Sequence, residues 1–312
     1  MLFTLAYPLQ EPGSNALLAE PDAVVRIAQA SEAAGFSAIA MTDHPAPSRK
    51  WLEHGGHTGF DPLAALSFCA AVTSTIRLMT YVLVLPYRNP LLAARSIATL
   101  DRLSSGRLDL AVAPGYLRSE FAALGTDYER RAEVFDEALD VMTRVFSDTS
   151  FRFEGGRFVA RGVGIEPGPV QLPHPPLWIG GNGVRARRRA ARLGAGWSPV
   201  QMSADKLQTT GSVAMPSTDH LRSAIADLKK RVREAGRPDG SVKVQLKSLV
   251  ASDIDAEASW FRDRVTELED AGVDQLVLRA PANDLDQSLA AIEAFGESVI
   301  ARQSAQRSAG KI

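Results

Sequence analysis

Eight short apolar segments, each followed by a longer segment whose apolar residues recur with helical spacing, predict an α/β fold for this chain of 312 residues. Parallel strands that are covered on both faces read as short, nearly continuous apolar runs, and these segments have that character. Eight strand–helix units in a chain of this length are typical of a (β/α)8, or TIM, barrel, and a doubly wound open sheet is the alternative. No Gly-x-Gly-x-x-Gly motif follows the first segment, which weakens the interpretation as an open, dinucleotide-binding sheet.

Capping residues delimit the elements in the first half of the chain. Gly35 is suited to end the first helix, and Asp61-Pro62 and Asn89-Pro90 each place a capping side chain before a proline at the first helical position. The four strands are predicted at Leu2–Tyr7, Ala38–Met41, Arg77–Leu85 and Leu108–Val112. The four helices are predicted at Asp22–Ala34, Asp61–Ala71, Asn89–Leu103 and Arg130–Phe146.

An insertion interrupts the pattern between the fourth helix and the fifth strand, at about 150–176. Phe151–Ala160 predicts a hairpin around two glycines, and the proline-rich run Pro167–Pro176 is confined to extended or turn structure. The later strands are predicted at Leu177–Ile179, Trp197–Val200, Val242–Leu249 and Gln275–Arg279. The later helices are predicted at Val184–Leu193, Asp219–Ala235, Ala256–Ala271 and Leu285–Ala301. We therefore expect a single domain over 1–302 and a disordered polar tail over 303–312.

Composition and charge disfavour several classes of partner. Lys plus Arg (35) nearly balance Asp plus Glu (36), so a net charge of −1 gives no electrostatic reason to expect nucleic acid or an anionic membrane. Cys69 is the only cysteine and lies in an apolar run, which predicts a buried thiol, no disulfide within the chain and a reducing, cytoplasmic location. No apolar run reaches the length of a membrane-spanning helix, and Met1–Pro8 lacks the basic region of a signal peptide.

The active site of a barrel forms at the C-terminal ends of the strands, in the loops that lead to the helices. The second such loop begins with Asp43-His44 and extends to Asp61, with His54 and His57 along it. A histidine just beyond a strand is placed for proton transfer or for hydrogen bonding to a bound ring, and Asp43 could fix its tautomer or contact a cofactor. The alternative is a turn-capping aspartate beside a surface histidine. Glycines between His54 and His57 argue against a rigid pair of metal ligands, so we predict no metal site.

The third and fourth loops add candidate pocket walls. The third strand is apolar and is followed by polar residues. A bound planar ring requires an apolar wall with polar groups at its edge, and this segment could supply both. An ordinary buried strand has the same pattern. After the fourth strand, Gly115 permits a close backbone approach, and Tyr116, Ser119 and Glu120 could line a pocket. Because glycine and proline are common in any loop, this motif is weak by itself.

The fifth strand runs into a glycine-rich turn at the start of a helix. Gly180, Gly181 and Gly183 surround Asn182, and the helix begins at Val184. Free backbone N–H groups and the positive end of the helix dipole make such a turn a phosphate site. The alternative is a flexible loop in which Asn182 caps the helix. Phosphate sites of barrels usually follow the seventh and eighth strands, so this position departs from the commonest arrangement.

Signatures of several other enzyme classes are missing. The sequence contains no Gly-x-Ser-x-Gly, His-Glu-x-x-His, P-loop or Cys-x-x-Cys motif. The hydrolases, metalloproteases, nucleotidases and dithiol enzymes that carry these motifs are therefore disfavoured.

Five segments together resemble the luciferase-like monooxygenase superfamily and, within it, the oxidoreductase subfamily that depends on coenzyme F420, a deazaflavin. The resemblance covers residues 1–200 well and continues more loosely through the later strand–helix units. The segments that carry it are Thr42-Asp43-His44-Pro45, Leu85–Pro90, Thr99–Arg107, Gly115–Gly125 and Pro173–Gly181.

The resemblance implies a barrel that holds a flavin-like ring at its C-terminal mouth. Asp43 and His44 would lie beside the ring, and the Tyr81–Val82 bond lies where relatives carry a bulge or a cis peptide behind it. The insertion matches one that is characteristic of the family. The segment Ser203–Ser217 looks like the mobile loop that closes over the site.

The resemblance also implies contacts with the side chain of the cofactor. Gly115 and Tyr116 would border that side chain, and the turn Gly180-Gly181-Asn182-Gly183-Val184 would hold its phosphate. Many relatives have Gly-x-Gly where this chain has Ala113-Pro114-Gly115. Proline has no N–H group, so Pro114 removes one potential backbone contact to the cofactor.

The function implied by the resemblance is hydride transfer between coenzyme F420 and a small organic substrate, with His44 as proton donor or acceptor. One alternative is an FMN-dependent monooxygenase that uses reduced flavin and O2, and a second is a non-catalytic or binding relative. A metal-dependent hydrolase would require His44, His54 and His57 to converge. We expect a homodimer, because barrels of this family commonly associate through exposed apolar helix faces.

Overall fold

The chain folds into a closed barrel of eight parallel strands. The structure is a computed structural model that describes residues 1–10, 13–201, 207, 211–248, 253–254 and 259–303. The barrel strands are β1 (Leu2–Ala6), β2 (Ala38–Met41), β3 (Arg77–Val84), β4 (Leu108–Ala113), β7 (Leu177–Gly180), β8 (Gly196–Ser198), β9 (Lys243–Leu246) and β10 (Gln275–Arg279). They pair in chain order, and β10 closes the barrel against β1. The predicted (β/α)8 fold is therefore confirmed, and the open sheet is excluded.

Helices surround the barrel where the apolar spacing predicted them. They are α1 (Pro21–Ala33), α2 (Arg49–Glu53), α3 (Pro62–Val72), α4 (Pro90–Leu103), α5 (Arg118–Ala123), α6 (Arg131–Arg144), α7 (Val184–Leu193), α8 (Thr218–Glu234), α9 (Ser259–Asp270) and α10 (Leu285–Phe295). Asp61 and Asn89 cap α3 and α4 by accepting hydrogen bonds from two backbone N–H groups each. The short helices α2 and α5 were not predicted, because each lies within a loop and is too short to give a clear periodicity.

The insertion between α6 and β7 contains the predicted hairpin, formed by the antiparallel strands β5 (Phe151–Glu154) and β6 (Val159–Val163). Glu137 on α6 accepts hydrogen bonds from the N–H groups of Gly156 and Arg157 at the hairpin turn. The proline-rich segment is tied to the barrel by Asp101 on α4, which accepts from the N–H groups of Val170 and Gln171. The insertion is thus packed against the helices that precede it.

The barrel interior has its own apolar cluster, separate from the large core between strands and helices. Four alanines leave space for four larger side chains, and the members are Ala6, Ala38, Ala40, Met79, Tyr81, Ala111, Trp178 and Val277. A Cβ atom on Gly196 would overlap the indole ring of Trp178, so the neighbouring strand must carry glycine there. Cys69 is buried in the outer core, as predicted, and burial raises the pKa of its thiol to about 12.

Some element ends differ from the prediction. Strand β8 ends at Ser198, and Val200 makes only an isolated bridge to Lys247. After α10 the chain continues in a π-helical turn, Gly296–Ile300, rather than as regular α-helix. In the described part of the chain, no helix has the length and apolar character needed to cross a bilayer. Residues 203–206 and 208–210 of the predicted mobile loop at 203–217, and residues 304–312 of the predicted tail, lie outside the described residues.

Candidate active site

The predicted site residues meet at the C-terminal ends of β2, β3, β4 and β7. The Tyr116 hydroxyl lies 3.4 Å from Nε2 of His44, which joins the loops after β4 and β2. A Cβ atom at Gly180 would lie 3.3 Å from Cγ1 of Val82, so the end of β7 passes close to β3. The barrel thereby places side chains from four separated segments in one region, as the fold class predicts.

His44 is held by a carboxylate that comes from a distant part of the chain. Its Nδ1 lies 3.0 Å from Oε2 of Glu120, which is on α5. Glu120 is fully buried and also accepts hydrogen bonds from the Ala46 N–H group at 3.2 Å and from the Tyr87 hydroxyl at 3.1 Å. His44 itself is 8% exposed. The histidine is therefore an oriented, nearly buried group and not a free surface side chain.

Aromatic rings enclose the His44 imidazole. The ring centroids of Trp51 and His57 lie 4.7 and 4.8 Å from that of His44, and His57 meets it edge-on. Burial, and secondly the proximity of Glu120, raise the pKa of the Tyr116 hydroxyl, which keeps it protonated. These rings limit the access of water to His44 and leave its Nε2 facing Tyr116.

The three loop histidines do not converge on a common point. His57 packs against His44, whereas Nδ1 of His54 lies 2.7 Å from the carbonyl oxygen of Lys50 on the exposed side of α2. Among the described residues, no group of three or more His, Cys, Asp or Glu side chains is arranged to hold a metal ion. The arrangement of this loop does not favour the metal-dependent hydrolase.

Asp43 does not bond to His44 and instead anchors the neighbouring strand. Its Oδ2 accepts from the Val84 N–H group at 2.9 Å, and its Oδ1 accepts from Nη2 of Arg88 at 2.6 Å. Arg88 also donates to Asp61 at 2.8 Å. Burial raises the pKa of Asp43, although Arg88 and the Val84 N–H group oppose the shift. Glu120, and not Asp43, is therefore the carboxylate that orients His44, whereas a contact between Asp43 and a cofactor stays a prediction.

The Tyr81–Val82 peptide bond is cis, and the pairing of β3 with β4 is irregular between Thr80 and Leu83. This is the position at which the resemblance implied a bulge or a cis peptide. The Tyr81 ring belongs to the apolar cluster inside the barrel, with Val82 packed against it. The two residues lie between the barrel interior and the turn that follows β7.

Gly115 lies at a close approach of the β4 loop to β3. Its φ of +79° suits glycine, and a Cβ atom there would lie 2.6 Å from Cγ1 of Val84 and 3.0 Å from Cε2 of Phe121. This packing brings Tyr116 toward His44. The preceding residue, Pro114, has no N–H group to offer at this edge of the site.

The turn after β7 is fixed by Asn182 but is not capped by it. The Asn182 side chain donates to the carbonyl oxygens of Val200 (2.7 Å) and Val213 (2.8 Å) and accepts from the Val200 N–H group (2.9 Å). The N-cap of α7 is Gly183, and no side chain caps this helix. The alternative in which Asn182 caps the helix is wrong, because its side chain is used to hold the neighbouring loops. The first N–H groups of α7, beginning at Val184, point out of the N-terminal end of the helix, where they could bind an anion.

Glu120 matches the prediction of a pocket residue, but its role as the partner of His44 was not predicted. Leu117, Glu120, Phe121 and Leu124 have helical spacing, so a carboxylate on an otherwise apolar face was the available signal for a buried, hydrogen-bonded group. Trp51 and Tyr87 carried no comparable signal, because their contacts depend on how the barrel closes.

The family model of luciferase-like monooxygenases matches residues 1–262 of this sequence. The chain belongs to the luciferase-like monooxygenase family. The resemblance carried by the five segments is thereby confirmed at the level of the family, whose members are oxidoreductases and monooxygenases.

The chain is similar in sequence to two relatives and in fold to one solved structure. Protein y4vJ of Sinorhizobium fredii is 30% identical over 233 residues, which cover 75% of this chain and 61% of y4vJ. The FMNH(2)-dependent dimethylsulfone monooxygenase of Pseudomonas putida is 24% identical over 237 residues, 75% of this chain and 59% of that enzyme. The chain thus spans about three-fifths of the length of these two relatives. The coenzyme F420-dependent tetrahydromethanopterin reductase of Methanopyrus kandleri shares the fold, with a TM-score of 0.73, 18% identity and coverage of 96% of this chain and 99% of that one.

Proposed function

We propose that this luciferase-like protein transfers a hydride between coenzyme F420 and a small organic substrate, with His44 as the proton donor or acceptor. The observation that carries the proposal is the buried pair of His44 and Glu120 at the C-terminal mouth of the barrel. Moving a hydride to or from a carbon that bears oxygen requires a proton to move as well, and an oriented imidazole performs that step.

The residues of the mouth fit a planar cofactor whose side chain carries a phosphate. The backbone of Gly180 passes so close to Val82 that a Cβ atom would crowd both Val82 and Ala113, and the uncapped first turn of α7 offers N–H groups to an anion. Residues Gly180, Gly181, Asn182, Gly183 and Val184 would hold the phosphate, and Gly115 and Tyr116 would border the cofactor's side chain. Tyr81 and Val82 would support the ring, and Asp43 would lie at its edge.

A bound deazaflavin or flavin would supply the hydride-transfer chemistry, and the protein would supply orientation and proton transfer. His44 would give or take one proton at Nε2. Trp51, His57 and Tyr116 would restrict access of water to this atom.

A second candidate is an FMN-dependent monooxygenase that uses reduced flavin and O2. The observation that favours it is the sequence similarity to the dimethylsulfone monooxygenase, whose name specifies FMNH(2). The same mouth would accept FMN, because both cofactors combine a planar ring with a phosphate. The proton-transferring His44 is needed more directly by hydride transfer, which is why we place F420 first.

The experiment that tests the proposal is a titration of the purified protein with F420 and, separately, with FMN, followed by tryptophan fluorescence. Trp51 packs on His44 and should report binding, whereas the exposed Trp260 on α9 should not. We expect selective micromolar binding of F420, a signal that W51F reduces and W260F retains. Selective binding of FMN would support the monooxygenase instead, and binding of neither would contradict both and favour a non-catalytic relative.

We also propose that the partner of the chain is a second copy of itself. Helix α3 carries no charged residue, and Phe68 on α3 and Leu92 and Leu103 on α4 are exposed. An exposed apolar surface on two adjacent helices supports self-association, because its burial removes apolar area from water.

A further inference from the structure

We propose that Glu120 is a positioning residue of the site, which fixes the neutral His44 ring with hydrogen on Nδ1, so that Nε2 is the atom that exchanges protons. The catalytic consequence rests on the proposed function. The tautomer itself can be measured in the protein without cofactor or substrate, so the two proposals can fail separately.

The surroundings of Glu120 determine which atom carries the hydrogen. An ionised carboxylate only accepts hydrogen bonds, and Glu120 receives them from the Ala46 N–H group and from the Tyr87 hydroxyl. With no exposure to water, this carboxylate depends on protein donors for its stabilisation. Among the described residues, the remaining neighbour within hydrogen-bonding distance is Nδ1 of His44, at 3.0 Å, which therefore acts as the third donor.

The opposite edge of the ring is consistent with this assignment. With hydrogen on Nδ1, a neutral imidazole has an acceptor at Nε2, and the Tyr116 hydroxyl 3.4 Å away can donate to it. Rotating the ring by 180° about its Cβ–Cγ bond would place Cδ2 against Glu120 and lose the contact. Trp51 and His57, packed on the ring, also oppose this rotation.

The fixed tautomer defines the path of the proton. A proton that leaves the substrate binds to the lone pair of Nε2, while Nδ1 keeps its own hydrogen. The product is an imidazolium ion whose positive charge lies beside the Glu120 carboxylate, and no proton moves to Glu120. A ring with hydrogen on Nε2 would have no acceptor facing the mouth and could not take up that proton.

The test is 15N NMR of the histidine side chains in the protein without cofactor, with His44 assigned by its absence in H44N. At a pH at which His44 is neutral, we expect a pyrrole-type Nδ1 and a pyridine-type Nε2. In E120Q an amide replaces the carboxylate and cannot accept from all three donors, so the Nε2–H tautomer should appear. A pyrrole-type Nε2 in the wild-type protein would overturn the proposal, and this outcome does not depend on the folding of E120Q.

Two controls separate positioning from general destabilisation. Asp101 is another fully buried carboxylate with backbone donors, but it anchors the insertion, so D101N should leave the His44 tautomer unchanged. Y87F removes one donor to Glu120 and should preserve the Nδ1–H tautomer.

Once a substrate is known, E120Q should lower kcat about 100-fold with little change in KM, the loss expected for impaired general acid–base catalysis. An E120Q protein with an unchanged tautomer and an unchanged kcat would also overturn the proposal.

Discussion

Arg88 holds Asp43 through a hydrogen bond of 2.6 Å between Nη2 and Oδ1, and this ion pair joins the loop after β2 to the turn after β3. The Asp43 side chain is almost completely buried, and that of Arg88 is 22% exposed. Since Asp43 also accepts from the Val84 N–H group, the end of β3 and the loop that carries His44 are fixed relative to each other.

Removing the cationic partner should therefore destabilise the protein. We expect R88A to lower the free energy of unfolding by about 3 kcal/mol, because a buried carboxylate is left without its counter-charge. Urea denaturation followed by circular dichroism measures the change. D61N is the matched control: it removes the more exposed of the two ion pairs of Arg88 and keeps a good capping residue for α3, so its cost should be below about 1 kcal/mol. Equal losses in the two variants would contradict the structural role of Asp43.

A second prediction concerns pH, through Glu32 on α1. One of its oxygens accepts from the N–H groups of Ser74, Thr75 and Ile76, which connect α3 to β3. Desolvation raises the pKa of Glu32, but these hydrogen bonds outweigh it and lower the pKa from 4.5 to about 2. A depressed pKa stabilises the folded state above the unfolded-state value, and this contribution is lost as the pH falls from about 4.5 through about 2.

E32Q should remove this part of the pH dependence. The amide can still accept a hydrogen bond but cannot ionise, so the variant should be less stable than the wild-type protein at pH 7 and the difference should shrink toward pH 2. Chemical denaturation at several pH values measures it. E293Q, on α10, is the control and should leave the profile unchanged, because the Glu293 side chain makes no hydrogen bond to the described residues. A difference that stays constant with pH would contradict the role assigned to Glu32.

Local sequence patterns predicted most of the strands and helices. They could not predict the contacts between distant segments, which depend on closure of the barrel. The strands were found because each is a short apolar run, and α3 and α4 because Asp61 and Asn89 cap them. The pairing of His44 with Glu120 joins positions 76 residues apart and exists only because β2 and β4 end at the same mouth. Sequence adjacency suggested Asp43 as the partner of His44, but it bonds instead to Arg88.

A third prediction tests the packing inside the barrel. G196A introduces a methyl group where the indole of Trp178 lies, with no free space to receive it. Overpacking of this kind typically costs about 1–3 kcal/mol, and Trp178 cannot move away easily because it is 8% exposed within a closed cluster. G168A, in the insertion, is the control, since its nearest neighbour would lie 3.6 Å away. Thermal denaturation should give a clearly lower Tm for G196A and a nearly unchanged one for G168A.

A fourth prediction concerns the turn after β7. N182A removes three partly buried hydrogen bonds that hold the loops carrying Val200 and Val213. We expect a loss of about 1–3 kcal/mol in the free energy of unfolding. If the turn binds the cofactor's phosphate, the same variant should also weaken cofactor binding in the fluorescence titration. Lower stability with unchanged cofactor affinity would assign Asn182 a purely structural role.

The last prediction tests self-association through α3 and α4. Light scattering after size exclusion should give twice the mass of one chain for the wild-type protein, and F68E or L92E should shift the mass toward that of a monomer. Both side chains are already exposed in a single chain, so these substitutions should have little effect on folding. W260E is the matched control, because Trp260 is 51% exposed but lies on α9, across the barrel from α3 and α4. A dimer that W260E disrupts and F68E does not would place the interface on the opposite side of the barrel, and a monomeric wild-type protein would contradict self-association altogether.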